Sequence, residues 1–582
     1  MFTLRAFAAT AYLAGAFLAA TTLTASAGIS VPLPPPSSAV FTERGEFTEA
    51  MLSMLDRIRR APKPVESGES GESEPPRLGS PDPQTPGVGL PGVIARLGTL
   101  IKSQTAGTTR TLLVRAHTEL GLSLSTLHAG STDARLGYLP RSAQHITAAQ
   151  TNLKAALASG GQNPVVLDMQ SQLASITRRM ARDVIDVARR AGVSSGTLAP
   201  ANNSFQRAQG ALNQLNYALA SDWFDDSLGF AADTITFDIE LFESNVIAEM
   251  SGEAIGWALS ITFEGQTYNG GHAEGQARTA ADPPATAQSP HKDMHVASVS
   301  KTLTTIATLR VLQDLGLTPD EEVAPYLPGD WVLGDGVEDL TFRDFMTHHT
   351  GFGQKVGDGH NTYSNLQTVI AQDVGATGWS YANANFGLLR VAVAGLLGID
   401  PVDYPAEEPD VLTAAAFLVL AQALYDSIGV SVDCTATDAN PTFLYRLPDA
   451  GVTGWEEPDN TLACGGIGWN INANELAGVM ATLRYTQQLL STDMRNEMFD
   501  GFLGLMDPQD WSHPTGAFGV YQMHGGDWAK NPAGPNPGGA LHTCVVAFPI
   551  VVEAALVMNS DRGDIDYQCR LLRDAFDNAW VP

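Results

Sequence analysis

The most strand-like stretches of this chain stand at opposite ends of a long helical run. Residues 254–263 and 265–270 suggest two strands around a tight turn, and residues 517–523, 541–548 and 552–558 read as three more. Between them, 298–315 reads as a buried helix closed by Gly316 and then Pro319. Helical patterning dominates to about residue 490, and 567–580 reads as a terminal helix. Such a chain buries its strands only by gathering both ends into one sheet. The fold class expected for 222–582 is therefore α+β.

The N-terminal part has a different texture. One positive charge precedes an apolar run over 6–20, and Ala25-Ser26-Ala27 follows, so 1–27 reads as a secretory signal peptide cleaved after Ala27. Residues 28–60 form a short N-terminal segment in which 47–59 could make one helix. Residues 61–95 are rich in Pro, Gly, Ser and Glu, cannot offset their ordering entropy by burial, and read as a linker. Residues 96–221 predict a small helical bundle. Ile146, Leu153 and Leu157 share a face ending at Gly160, and Leu173, Ile176, Met180, Val184 and Val187 recur after Asn163-Pro164. Phe205, Ala208, Leu212, Leu215 and Leu219 form a third stripe, and 110–127 a fourth helix. The bundle carries no clustered catalytic residue types; an unknown partner is the only binding role open to it.

Composition excludes some functions. Asp+Glu 63 against Lys+Arg 34 gives a net charge of −29, which disfavours both nucleic acid and anionic membrane surfaces. After the leader no segment is long and apolar enough for stable membrane insertion, so the expected location is exported, periplasmic or secreted. Cys434, Cys464, Cys544 and Cys569 suit that compartment and allow three pairings, of which 434–464 with 544–569 closes the shortest loops. No Cys/His cluster or phosphate-cradling glycine loop calls for a metal or other cofactor. His291, Asp293 and His295 alternate as ligands can, but read as structural, as do His348 and His349.

The chemistry concentrates in Ala297-Ser298-Val299-Ser300-Lys301-Thr302, an S-x-x-K opening an apolar helix. The i,i+3 spacing puts the Ser298 hydroxyl and Lys301 amine on one face, near free N–H groups that favour negative charge. A serine hydroxyl attacks well only when a neighbour takes its proton. Downstream, Tyr381-Ala382-Asn383 sits where a loop enters a helix, and His524-Gly525-Gly526-Asp527 follows a predicted strand.

In this order, S-x-x-K, Y-x-N and a glycine-bearing third motif resemble the serine β-lactamase and penicillin-binding-protein superfamily, most closely the class C β-lactamases and their esterase, D-aminopeptidase and carboxypeptidase relatives. Residues 340–351, with His348-His349-Thr350-Gly351, support the resemblance, which covers about 250–582. It implies a β-lactamase/transpeptidase-like domain. Ser298 would be the nucleophile, Lys301 its partner, Tyr381 the general base, and Asn383 the amide holding Lys301 and the substrate. The N–H groups of Ser298 and Asp527 would form an oxyanion hole. Penicillin-processing members usually carry Lys-Thr-Gly where this chain has His524, Gly525 and Gly526. A weaker cation and a missing hydroxyl there favour an ester, small amide or peptide substrate over a β-lactam. The alternatives are a β-lactamase or D-Ala-D-Ala carboxypeptidase, and an idle hydrolase fold used as a binding protein.

Overall fold

The computed structural model describes residues 90–130, 135–160, 163–352, 361–374, 378–447, 451–529, 538–563 and 567–582. The leader, the 47–59 helix and linker residues 61–89 lie outside them.

Seven antiparallel strands form the main sheet: β1 (Gly256–Phe263), β2 (Gln266–Thr267), β3 (His272–Arg278), β4 (Thr286–Ala287), β5 (Gln522–Ala529), β6 (Ala540–Ala547) and β7 (Val552–Met558). Their order is β5-β6-β7-β1-β3-β4, with β2 pairing the end of β1. Leu556 of β7 stands opposite Leu259 of β1, so late and early strands are neighbours, as the sequence pattern requires. A second clasp pairs Thr236–Phe237 with Trp580–Val581. Residues of the central strands alternate between two cores. Ala258 of β1, with Val545 and Val557, faces the helical lobe, whereas Trp257, Leu259 and Ile261 face the core shared with the N-terminal helices. Both faces are covered, which is why these strands read as nearly continuous apolar runs.

Among the described residues six helices form the N-terminal bundle: α1 (Leu90–Ser103), α2 (Thr108–Ala129), α3 (Tyr138–Gly160), α4 (Pro164–Arg190), α5 (Ala199–Asn213) and α6 (Tyr217–Ala232). Asn163 caps α4 by accepting from the Val165 N–H, as the Asn-Pro signal implied. The outer half of the bundle has its own core, including Leu97, Leu120, Leu153 and Leu173. The inner half does not: Tyr138, Val184, Phe224 and Leu228 share one core with the sheet residues Leu259, Val546 and Leu556. The Tyr138 hydroxyl also donates to Phe518 O at 3.2 Å.

Four expected boundaries move. Residues 90–95 belong to α1, with Val93 buried, not to the linker. The division at 221/222 falls inside α6. The stripe drawn through Leu215 and Leu219 breaks: α5 ends at Asn213, and Leu215 is 70% exposed at φ 58°. Bonds from Asn216 N to Ala211 O and Leu215 N to Leu212 O form a Schellman stop with leucine where glycine is usual, so nothing in the sequence signals it. Finally, the strand expected at 517–523 lies at 522–529, so the His-Gly-Gly-Asp motif is within a strand and not after one.

Further elements position the site: α7 (Ile239–Met250), α8 (Ser300–Asp314), α9 (Asn383–Leu396), α10 (Pro409–Asp426), α11 (Ala473–Tyr485) and α12 (Gln568–Asp577). Disulfides join Cys434 to Cys464 and Cys544 to Cys569, the shortest-loop pairing. No helix among the described residues is long and apolar enough to cross a membrane.

Candidate active site

Ser298 sits in a 3-10 turn, Ala297–Val299, immediately ahead of α8. Ala297 takes φ 44°, the left-handed region that costs a non-glycine residue about 1–3 kcal/mol. The turn is held from several sides: Val296 N donates to Trp469 O at 3.0 Å, and Thr543 Oγ1 donates to Val296 O at 2.7 Å. It lies directly on β5. A Cβ on Gly526 would stand 2.5 Å from Val296 O and 3.0 Å from Ala297 Cβ, so only glycine allows this approach.

Lys301, one helical turn on, is wholly buried. Its Nζ donates to Ser298 Oγ at 2.9 Å, Asn383 Oδ1 at 2.6 Å and Gly466 O at 2.8 Å. An ammonium has three protons, and these are three acceptors. Tyr381, just before α9, donates to Ser298 Oγ at 2.7 Å. The Lys301 Nζ also lies 4.7 Å from the Tyr381 ring centroid and 5.7 Å from that of Phe386. The fold thus brings together the serine, lysine, tyrosine and asparagine picked out in sequence. Gly466 was not picked out. Its loop is fixed by Thr304 Oγ1 donating to Gly465 O at 2.7 Å, by Arg390 donating to Cys464 O at 3.2 Å, and by the Cys434–Cys464 bond.

His348 is more than a packing residue. It adopts φ 61°, and its ring lies 4.4 Å from that of Tyr381, tilted by 35°. Its Nδ1 accepts from Ala382 N at 3.2 Å and from Asn385 Nδ2 at 3.1 Å; Thr350 Oγ1 fixes that amide by donating to its Oδ1 at 2.8 Å. Burial, with the charge of Lys301 behind it, holds the His348 pKa well below the usual value. A neutral imidazole therefore positions the Tyr381 loop. The Y-x-N-x-N spacing and the preceding His-His-Thr-Gly were the available signals.

The third motif divides between two faces of β5. His524 faces the nucleophile side; its Nδ1–H donates to Gly525 O at 2.7 Å, and burial, then Lys301, push its pKa down to about 3. It is a neutral group, not the pH-dependent cation suggested by its type. Gly525 turns the other way, towards Tyr567 and Cys569. The Asp527 carboxylate is also engaged elsewhere, by His542 Nδ1, by Gln568 Nε2 at 3.2 Å and by Arg562 at 3.8 Å. Burial alone would raise its pKa, but His542, Arg562 and Gln568 outweigh that and lower it. Gly525 and the Asp527 carboxylate thus occupy the rear face of β5; the part expected of Asp527 was its backbone N–H, not its carboxylate.

A cleft beside Ser298 is walled by Trp379, Tyr381, Asp507, Asp510, Trp511 and His524. The Trp379 and Trp511 rings stand 5.5 Å apart at 88°, and those of Tyr381 and Trp511 6.1 Å apart at 83°. Burial, then the neighbouring Asp507, raises Asp510 to about 7. Burial also raises Asp507. No local spacing marks these residues, because long-range folding alone places their loop there.

His295 Nε2 accepts from Gly468 N at 2.7 Å and its Nδ1 faces Glu457 at 3.0 Å, while Asp293 Oδ1 accepts from Asn472. Both side chains are thus bonded within the fold. Among the described residues no group of three His, Cys, Asp or Glu could hold a metal ion.

An antiparallel sheet with a helical lobe, and a serine hydroxyl between lysine and tyrosine, defines the β-lactamase/transpeptidase-like class of serine hydrolase folds. The family model described as Beta-lactamase matches residues 242–563, and the chain belongs to that family. Among solved structures, it is similar to a class C β-lactamase from Rhodobacter sphaeroides (18% identity, 58% of this chain and 97% of that one, TM-score 0.41). It is similar to EstCE1, a hydrolase with promiscuous acyltransferase activity (18% identity, 58% and 99%, TM-score 0.41). It is also similar to the D-amino acid amidase from Ochrobactrum anthropi SV3 (14% identity, 59% and 96%, TM-score 0.40). No curated protein matches the chain.

Proposed function

We propose that this protein is an exported serine hydrolase acting on an ester or small amide through an acyl-serine intermediate. The observation that carries the reading is Ser298 Oγ held at once by Tyr381 OH at 2.7 Å and Lys301 Nζ at 2.9 Å. While Lys301 donates all three protons it cannot take one from serine, so the base is the Tyr381 oxygen, once it has given up its own proton. Ser298 Oγ bonds to the substrate carbonyl carbon as its proton passes to Tyr381. The C–O or C–N bond then breaks, and Tyr381 returns the proton to the departing group. Water repeats the sequence to release the acid. The backbone N–H groups of Ser298 and Asp527 serve the developing oxyanion. The paired cysteines support export, since disulfides persist in oxidising compartments.

The β-lactamase reading is weaker, because neutral His524 offers no fixed charge to a carboxylate. A fluorophosphonate probe is the test. Mass spectrometry should find one adduct, on Ser298, absent in Ser298→Ala. Labelling elsewhere, or none, would remove the acyl-serine reading and leave the binding-protein one.

A further inference from the structure

The cleft beside Ser298 is anionic and aromatic at once. Asp507 and Asp510 stand in it together with three rings set nearly at right angles, and among the described residues no lysine or arginine lines it. Half-buried tryptophan rings, here Trp379 and Trp511, are the side chains that best receive a cation. His524 adds a second, independent indication. It is 5% exposed and lines the same cleft, and its Nδ1 proton goes to Gly525 O. Its Nε2 lone pair has no partner among the described residues. An anionic occupant would face two carboxylates and a nitrogen lone pair with nothing to offer any of them. A cation, with its polarised C–H or N–H groups, satisfies all three.

We infer that this cleft binds an alkylammonium group carried by the leaving part of the substrate. The placement follows from the acyl-serine reading, on which this inference rests. Tyr381 must hand its proton to the departing oxygen, and Tyr381 is itself a wall of the cleft. The raised pKa of Asp510 accords with a carboxylate that lacks its counter-charge until such a group arrives.

The test compares butyrylcholine with its uncharged isostere, 3,3-dimethylbutyl butyrate, by pH-stat on the full chain. The expected kcat/KM ratio favours the choline ester by at least about tenfold, the scale of one desolvated cation–aromatic contact of ~1.4 kcal/mol. Asp510→Asn and Asp507→Asn should each pull the ratio towards one. A wild-type ratio of one or below, or a ratio unmoved by either substitution, overturns the inference. If neither ester is turned over, calorimetry of choline against 3,3-dimethylbutan-1-ol decides it separately. Choline binding that weakens in Asp510→Asn keeps the cation site while the hydrolase reading falls. Equal or absent binding of the two sinks the site.

Discussion

Gly525 and Tyr567 compete for one volume. A Cβ at 525 would overlap the tyrosine hydroxyl and stand 2.9 Å from ring carbon Cζ, with Cys569 Sγ at 3.1 Å. The strand that carries the third motif is therefore sealed on its rear face by a buried aromatic residue, which stacks in turn on His513 at 4.2 Å. Restoring the Thr of a Lys-Thr-Gly motif here would not supply a substrate-facing hydroxyl; it would push against α12. Gly525→Ala should cost about 1–3 kcal/mol, the usual range for overpacking. In a Tyr567→Phe background the same change should cost less. Denaturant midpoints of the four proteins give the coupling, and a zero coupling would show that the two residues do not share that space.

His524→Lys is the cleaner probe of carboxylate recognition, because that side chain does face the cleft. A permanent charge there should raise cephalosporin acylation relative to ester acylation, by roughly tenfold if one charge-assisted hydrogen bond of ~1.5–3 kcal/mol is partly realised. An unchanged ratio of the two kcat/KM values in a folded variant would separate position 524 from substrate choice.

Tyr381→Phe removes the proton acceptor while leaving the ring against His348. Acylation by an ester should slow by about 10²–10⁴-fold, the usual worth of a positioned base, with little change in melting temperature. Single-turnover release of nitrophenol measures it. A variant within threefold of wild type would transfer the base role to another group.

Acid should destabilise the protein through its buried histidines. The folded pKa of His524 is about 3 against an unfolded value of about 6.5. Above pH 6.5 neither state is protonated and the group contributes no pH dependence. Between 6.5 and 3 the unfolded chain takes up a proton that the native state refuses, so stability falls by about 1.4 kcal/mol per pH unit for this residue. His348 acts in the same direction. Asp225 and Asp510, both raised to about 7, act in the opposite one. The difference between wild type and His524→Gln isolates the term: the variant's stability should decline less steeply from pH 6 to 4. Parallel slopes would mean that His524 is already charged in the native state.

Cutting the chain at residue 222 should not yield a working enzyme domain. The cut falls within α6 and strips Tyr138, Val184 and part of the bundle from a core shared with Leu259, Val546 and Leu556. Aggregation, or loss of the near-ultraviolet dichroism of the full chain, is the expected result. A soluble 222–582 fragment that unfolds cooperatively would show that the shared core is dispensable.

What the sequence revealed, and what it hid, divides by range of interaction. Ser298 and Lys301 were readable because a helix fixes i,i+3 neighbours, and Tyr381 and Asn383 because the turn before α9 fixes theirs. Gly466, Trp511, Asp507 and Asp510 reach the site only through loops closed from far along the chain, and no local period encodes that. His524 was recognised, but its neutral state depends on burial and on Lys301, neither visible in a dipeptide. The strand at 522–529 was misplaced because Gly525-Gly526 looks like a strand breaker. The reason for Gly526 lies across the fold, in the carbonyl of Val296.

The pairing of β7 with β1 sets an order of events during synthesis. Ser298 and Lys301 are made half-way along the chain, but the strand that presses on their turn and the strands that join it to β1 are made near its end. Until residue 558 is available the sheet lacks its centre, and the strained turn at Ala297 has nothing to hold it. Non-local pairing of this kind folds slowly. A nascent chain therefore has no assembled Ser298 site until both ends of the sheet have met, although the outer half of the bundle, with a core of its own, can pack long before.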